Sequence, residues 1–185
     1  NLKEDVKLVK ELQMGKEEAF NALYEKYSRL IFHIVFSMLE SRDDANDVVQ
    51  DTFMVIIEKI DTFNPKNNFK SWIIRIAKNK AIDFLRQKNR IDKDVCLDTF
   101  AANTTYDKKM TDFELMLSEY RDIINKDEFN VITLYVFHRL QFSEIAKIYD
   151  KSVSAVNNIY YRGITKIKKS FEREIEYEQA SEKLL

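Results

Sequence analysis

Residues 141–156 read Gln141-Phe142-Ser143-Glu144-Ile145-Ala146-Lys147-Ile148-Tyr149-Asp150-Lys151-Ser152-Val153-Ser154-Ala155-Val156. Ser143 can cap a short helix whose buried face is Ile145, Ala146 and Ile148, and a three-residue break follows at Asp150-Lys151-Ser152. Ser152 or Ser154 can then cap a second helix that turns Val156, Ile159, Tyr160, Ile164 and Ile167 inward. Ala146 is small enough to let the two helices cross closely, as a helix-turn-helix requires. In that arrangement the second helix enters the major groove, its amino end faces bases, and Arg162, Lys166, Lys168 and Lys169 meet phosphates. Pattern alone fits an ordinary helical hairpin with a solvated basic face equally well.

Helical spacing extends from this stretch over most of the chain. Val6, Val9 and Leu12 form a short stripe ending near Gly15, and Ala19, Phe20, Leu23, Tyr24, Tyr27, Ile31, Ile34, Val35 and Met38 form a longer one. A turn at Glu40-Ser41-Arg42 precedes a third helix with Asp43 and Asp44 in its first turn, where negative charge suits the helix dipole. Val48, Val49, Phe53, Ile56, Ile57 and Ile60 are its expected buried face. Phe63-Asn64-Pro65-Lys66-Asn67-Asn68 is the clearest loop and holds the single proline. A fourth helix is expected from Phe69 to about Asn89, facing inward with Trp72, Ile73, Ile76, Ala77, Ala81, Phe84 and Leu85. From Ile91 to about Asp112 periodicity fails, which reads as a flexible interdomain linker. Helices resume near Phe113, with a charged tail expected to fray after Phe171. The expected fold is all-α: a four-helix domain over 1–90, a linker over 91–114, a helix-turn-helix domain over 115–178 and a tail over 179–185.

Composition agrees with this reading. Only 2 glycines and 1 proline occur in 185 residues, too few for the turns and corners of an all-β fold. The net charge of −1, taken alone, argues against a polyanionic partner, but charge is sorted along the chain. Residues 1–62 carry −5, 63–90 carry +7, 91–130 carry −5, 131–170 carry +5 and 171–185 carry −3. Two basic islands point to two separate surfaces for a polyanion, because a phosphate feels local charge within a Debye length of about 10 Å. Cys96 is the only cysteine, so no internal disulfide forms and a reducing cytosol is expected; it is read as a linker residue without special role. The longest apolar stretch, Leu30 to Leu39, is too short to span a bilayer.

Within the first basic island Arg75, Lys78, Asn79, Lys80, Arg86, Lys88 and Arg90 decorate the helix that bears the only tryptophan, Trp72. Cations beside Phe63, Phe69 and Trp72 are what unstacked DNA needs, although tryptophan at helical spacing is more often core. Asp43, Asp47 and Asp51 recur every four residues and place like charges on one helix face, fit for a basic partner. A metal site there would need an EF-hand's glycine and distal glutamate, and none is expected. His33 and His138 read as packed histidines. No phosphate-binding, nucleophile-elbow or zinc-protease motif occurs, so neither enzyme chemistry nor a cofactor is expected.

In this order the segments resemble a bacterial RNA polymerase sigma factor of the extracytoplasmic-function (ECF) group of the sigma-70 family. The resemblance runs through Glu18 to Tyr27, Asp44 to Phe53, and Phe69 to Asn79 with Asp83 and Arg86, then through Ser143 to Ala146 and Val156. It implies that the Asp44 to Phe53 helix, with Asp44, Asp47, Val48, Gln50, Asp51 and Phe53, docks on the clamp helices of core RNA polymerase. It implies that Phe63, Asn64, Lys66, Trp72, Arg75, Lys78, Asn79, Arg86 and Arg90 read and melt the minus-ten promoter element, with a non-template base flipped toward the 63–68 loop. The second domain would bind the minus-thirty-five duplex through Ser152, Ser154, Ala155, Asn157, Asn158, Tyr161, Arg162 and Lys166, and also touch the polymerase flap. A cytoplasmic location and an anti-sigma factor, one that can hold the protein at the membrane, are further implications.

Two departures bear on detail. Asn46 stands where the family usually has Glu, and Ser154-Ala155-Val156-Asn157-Asn158 replaces a commoner Gly-Thr-Val-Lys-Ser. Because asparagine bonds adenine bidentately, an A·T-containing minus-thirty-five site read by Asn157 or Asn158 is expected. From the residues alone, a stand-alone helix-turn-helix regulator and a helical adaptor between proteins stay open.

Overall fold

The computed structural model describes residues 2–94, 120 and 122–182, and every regular element among them is helical. The chain divides into two units, Asn1–Thr105 and Tyr106–Leu185. In the first, α1 spans Leu2–Gln13, α2 Glu17–Leu39, α3 Arg42–Lys59 and α4 Phe69–Asp94, with a 3-10 turn at Ile60–Thr62. In the second, α5 spans Lys126–Ile132, a π turn covers Thr133–Phe137, and α6 (Phe142–Tyr149) and α7 (Val153–Glu182) follow.

Local chemistry sets these boundaries. Gly15 adopts φ +77°, and the Gly15 and Lys16 amides donate to the Leu12 and Glu11 carbonyls at 2.9 and 3.1 Å, closing α1 with a Schellman motif. Glu40, also left-handed, ends α2, and the Ser41 hydroxyl caps α3 by accepting from the Asp44 amide at 3.3 Å. Helix α4 runs past Asn89 to Asp94, because Arg90-Ile91-Asp92-Lys93 contains neither glycine nor proline to stop it. For the same reason α7 continues beyond Phe171 to Glu182 instead of fraying there. The first four residues of the expected 91–114 linker are therefore helical, and the rest of it, with Cys96 and the helix expected to resume near Phe113, lies outside the described residues.

In the first unit α2, α3 and α4 pack against one another, and α1 lies on α2. Their shared core includes Ile31, Ile34, Val35, Val48, Ile56, Ile73, Ala77 and Ala81, all at most 2% exposed. Burial of each large aliphatic stabilises by roughly 1.5–3 kcal/mol. Two residues of the expected apolar faces are exposed, Tyr24 at 39% on α2 and Ile57 at 50% on α3. Neighbours on a helix point about 100° apart, so with Ile56 and Ile60 buried, Ile57 is turned to solvent. Helix α1 is pinned by a buried polar group. The Tyr27 hydroxyl donates to Asp5 at 2.8 Å and the Lys26 ammonium lies 2.9 Å from the same carboxylate, which offsets the cost of burying Asp5.

In the second unit α5 and α6 both pack on α7. Asn125 begins α5 with a reciprocal box: its side chain accepts from the Glu128 amide and its own amide donates to the Glu128 carboxylate, each at 2.9 Å. Gly163 lets α5 and α7 approach closely. A Cβ there would sit 2.8 Å from Ile132 Cδ1 and 3.0 Å from Glu128 Cβ.

Candidate nucleic-acid and partner surfaces

The helix-turn-helix forms much as its residues indicate. Asp150, at φ 51°, ends α6 in the left-handed region. Ser152, rather than Ser154, caps α7, its hydroxyl accepting from the Ala155 amide at 3.1 Å. Ser143 is not a cap; α6 begins one residue earlier, and the Glu144 carboxylate accepts from the Gln141 amide at 2.8 Å. Val156 and Ile159 turn inward, while Ser154, Asn158 and Tyr161 form an outward stripe at i, i+4 and i+7. Asn157 and Ala155 lie on its flank, half-buried, so of the two asparagines Asn158 is the better presented.

Arg162 and Lys166 depart from the simple reading as free phosphate contacts. Both bind Glu128, a fully buried carboxylate on α5: Arg162 Nε donates to one oxygen and Lys166 Nζ to the other at 2.8 Å. Burial opposes the charge on Glu128, but the bonds from Lys166, the Asn125 backbone and Arg162 outweigh it and hold the carboxyl below its usual pKa. The two side chains remain 55% and 39% exposed, so Glu128 fixes where their outer edges stand. Sequence inspection missed Glu128 because its partners are 34 and 38 residues away. The capping-box spacing from Asn125 was its only local signal.

In the first unit the aromatic residues beside the first basic island divide. Phe63 and Phe69 are buried, and Trp72, half-buried, covers them with ring centroids at 4.7 and 5.7 Å. Phe63 is therefore part of the floor beneath the loop and cannot itself stack on a base; of the three rings, Trp72 keeps an exposed surface. Above this floor Asn64 and Lys66 are exposed, with the Asn64 side chain accepting from the Lys66 amide at 3.0 Å. Arg75 and Asn79 are exposed on α4 and Lys78 is half-buried. Arg86 pairs with Asp83 at 3.5 Å, and the side chain of Arg90 lies outside the described residues.

The acidic stripe and the first basic island meet across α3 and α4. Lys88 binds Asp44 at 2.8 Å and Lys80 approaches Asp51 at 3.6 Å, whereas Asp43 and Asp47 make no ion pair among the described residues. Val48 and Phe53, expected at the polymerase contact, are core residues at 2% and 4% exposure, because they fall on the inward side of α3. The outward side instead carries Asp47, Gln50, Asp51, Met54 and Ile57. Met54 is 61% exposed, so this face is acidic in its first half and apolar in its second. Among the described residues no group of three or more His, Cys, Asp or Glu is placed to hold a metal, and no helix is long and apolar enough to cross a membrane.

These two units match known proteins. Residues 23–91 match the Sigma-70 region 2 family model. The chain is 31% identical over 171 residues to the ECF RNA polymerase sigma-E factor of Escherichia coli K12, covering 85% of this chain and 89% of that one. It is 26% identical to the ECF RNA polymerase sigma factor SigX of Bacillus subtilis, covering 84% and 85%. Among solved structures, CnrH in complex with the cytosolic domain of CnrY shares the fold at a TM-score of 0.54 and 22% identity, covering 92% and 98% of the two chains. RpoE of Bartonella quintana, solved with the anti-sigma factor NepR, gives 0.53 at 20%, covering 83% and 96%. A match that spans both units does not suit a free-standing helix-turn-helix regulator or a simple adaptor, and the chain belongs to the ECF sigma factors, which direct RNA polymerase to its promoters.

Proposed function

We propose that this sigma factor divides its work among three surfaces. The outward face of α3, with Asp47, Gln50, Asp51, Met54 and Ile57, docks on core RNA polymerase, and Asp44 contributes through its pair with Lys88. The 63–68 loop with Lys66, Trp72, Arg75, Lys78, Asn79 and Arg86 takes the melted minus-ten strand: cations meet the backbone, Trp72 offers an aromatic face, and the loop receives a flipped base. Base stacking worth about 1–3 kcal/mol offsets the few kcal/mol that unstacking costs. The Ser154, Asn158 and Tyr161 stripe of α7 enters the minus-thirty-five major groove, flanked by Arg162 and Lys166.

One observation carries this reading: on α3 the exposed surface is acidic and apolar, as a protein contact requires, while the exposed cations and amides of the loop and α4 suit a nucleic acid. The working location is the cytoplasm, where polymerase and promoter are, and the protein is non-enzymatic. An anti-sigma factor is a further proposed partner, supported by the solved relative held by NepR. The test is a two-way separation with core polymerase and promoter DNA. Arg75→Glu with Arg86→Glu should abolish open complexes and leave polymerase binding intact, and Asp47→Lys with Met54→Glu should abolish polymerase binding. If either pair abolished both functions in a folded protein, or neither, the division would be wrong.

A further inference from the structure

Gln13 stands on the last turn of α1, far from the proposed DNA surfaces in sequence, and touches the loop directly. Its Nε2 donates to the carbonyls of Ile60 at 2.8 Å and Phe63 at 2.9 Å, across 47 and 50 residues. A primary amide has two N–H donors, and both are used on the segment that leads into the loop. The loop's other described braces are local. Asn64 accepts from the Lys66 amide at 3.0 Å and, through its carbonyl, from the Asn67 amide at 2.9 Å. Asn68 caps α4 by accepting from the Ser71 amide at 2.9 Å. These contacts fix the loop's internal shape; the Gln13 contacts fix where its start sits on the rest of the unit.

The anchor is itself held. Val9 and Leu12 are buried, Asp5 ties α1 to Tyr27 and Lys26, and Gly15 stops the helix two residues beyond Gln13. Gln13 is half-buried, so its bonds are partly shielded from competing water. The Phe63 carbonyl it grips belongs to the residue whose ring lies 4.7 Å from Trp72, so a shift at this carbonyl moves the floor and the rim of the proposed base site together. A pre-organised site rejects wrong ligands, whereas a loosened one adapts to them.

We propose that Gln13 is a positioning residue for base selection at the minus-ten element: by holding the Ile60 and Phe63 carbonyls it sets the 63–68 loop in the geometry that discriminates among flipped bases. This rests on the reading of that loop as the base receiver. The test uses the full chain with core RNA polymerase and promoter templates randomised over the minus-ten element, scoring base preference from sequenced transcripts. Gln13→Met keeps length and loses both donors; Gln13→Glu turns an acceptor toward two acceptors. Both should reduce preference at the loop-read position about fivefold or more, leave minus-thirty-five preference and polymerase binding unchanged, and alter Trp72 emission in the free protein. A merely structural role would lower output evenly without changing the preference ratio, and that result, or unchanged Trp72 emission, overturns the proposal. Asn64→Ala, which removes the side-chain acceptor that holds the Lys66 amide, separates the two levels in the same library. If it alters preference and the Gln13 variants do not, only the role of Gln13 fails; if neither does, the loop reading fails and this proposal with it.

Discussion

Replacing Glu128 by Gln tests the second unit most directly. The change keeps shape and one acceptor but removes the charge that Arg162 and Lys166 share, and it turns an amide donor toward one of two donors. Hydrogen bonds to charged groups contribute about 1.5–3 kcal/mol each. Both cations are partly exposed, at 55% and 39%, and regain water when released, so the loss for the pair is discounted to about 2 kcal/mol. With a urea dependence of about 1–2 kcal/mol per molar for a small unit, the midpoint of the second unit should fall by about 1–2 M. Far-UV circular dichroism follows both units, and Trp72, the only tryptophan, lies in the first. The Trp72 transition should stay in place while the other moves. The acid limb supplies a sign. The folded pKa of Glu128 lies below the usual glutamate value, so its charge stabilises fully above that usual value and the contribution is lost as pH falls through the folded pKa. Wild type and Glu128→Gln should therefore differ at pH 7 and converge as acid protonates the carboxyl below the usual glutamate range. Equal midpoints at pH 7, or a gap that persists undiminished in acid, would refute the role given to this carboxylate.

Gly163→Ala should lower the melting temperature of the second unit, since overpacking costs about 1–3 kcal/mol against about 1 kcal/mol gained in helix propensity; Ile132→Val, which trims the clashing Cδ1, should recover part of the loss in the double variant. Tyr27→Phe should cost the first unit about 1 kcal/mol by Trp72-monitored denaturation. Burial first, then the bond to Asp5 and its charge, raise the Tyr27 pKa well above the usual tyrosine value. The wild type thus holds this stability below about pH 10 and loses it as pH rises further, and a Phe variant with the same alkaline sensitivity would count against this account. In a selection from random duplexes, Asn158→Ala should weaken preference at one A·T position by about 1–3 kcal/mol, with Asn157→Ala having the smaller effect; unchanged preference in both would remove the asparagines from base reading.

The helices were legible because apolar residues recur at 3.6-residue spacing and Gly15, Ser41, Pro65 and Ser152 punctuate them. The two basic islands and the acidic stripe were equally legible, since charge along a chain needs no coordinates. Less legible was which of two adjacent apolar residues faces inward. Ile56 and Ile57 look alike in sequence, and packing against α2 and α4 buries one and leaves the other exposed. Val48 and Phe53 carry the motif resemblance, and Phe63 was implied by it as a minus-ten contact, yet all three are spent on the core, so the resemblance did not distinguish residues that touch a partner from residues that hold the surface in shape.

The sequence by itself determined the all-α class, the break at 150–152 between two helices and the separation of charge, because each follows from interactions within a few residues: helical periodicity, capping and local composition. Only the tertiary structure decided that Glu128 holds Arg162 and Lys166, that Lys88 and Lys80 answer Asp44 and Asp51, and that Gln13 grips the loop's start. Those contacts join residues more than twenty-five positions apart. Their existence depends on which helix faces meet, and that is settled by burial of the core as a whole.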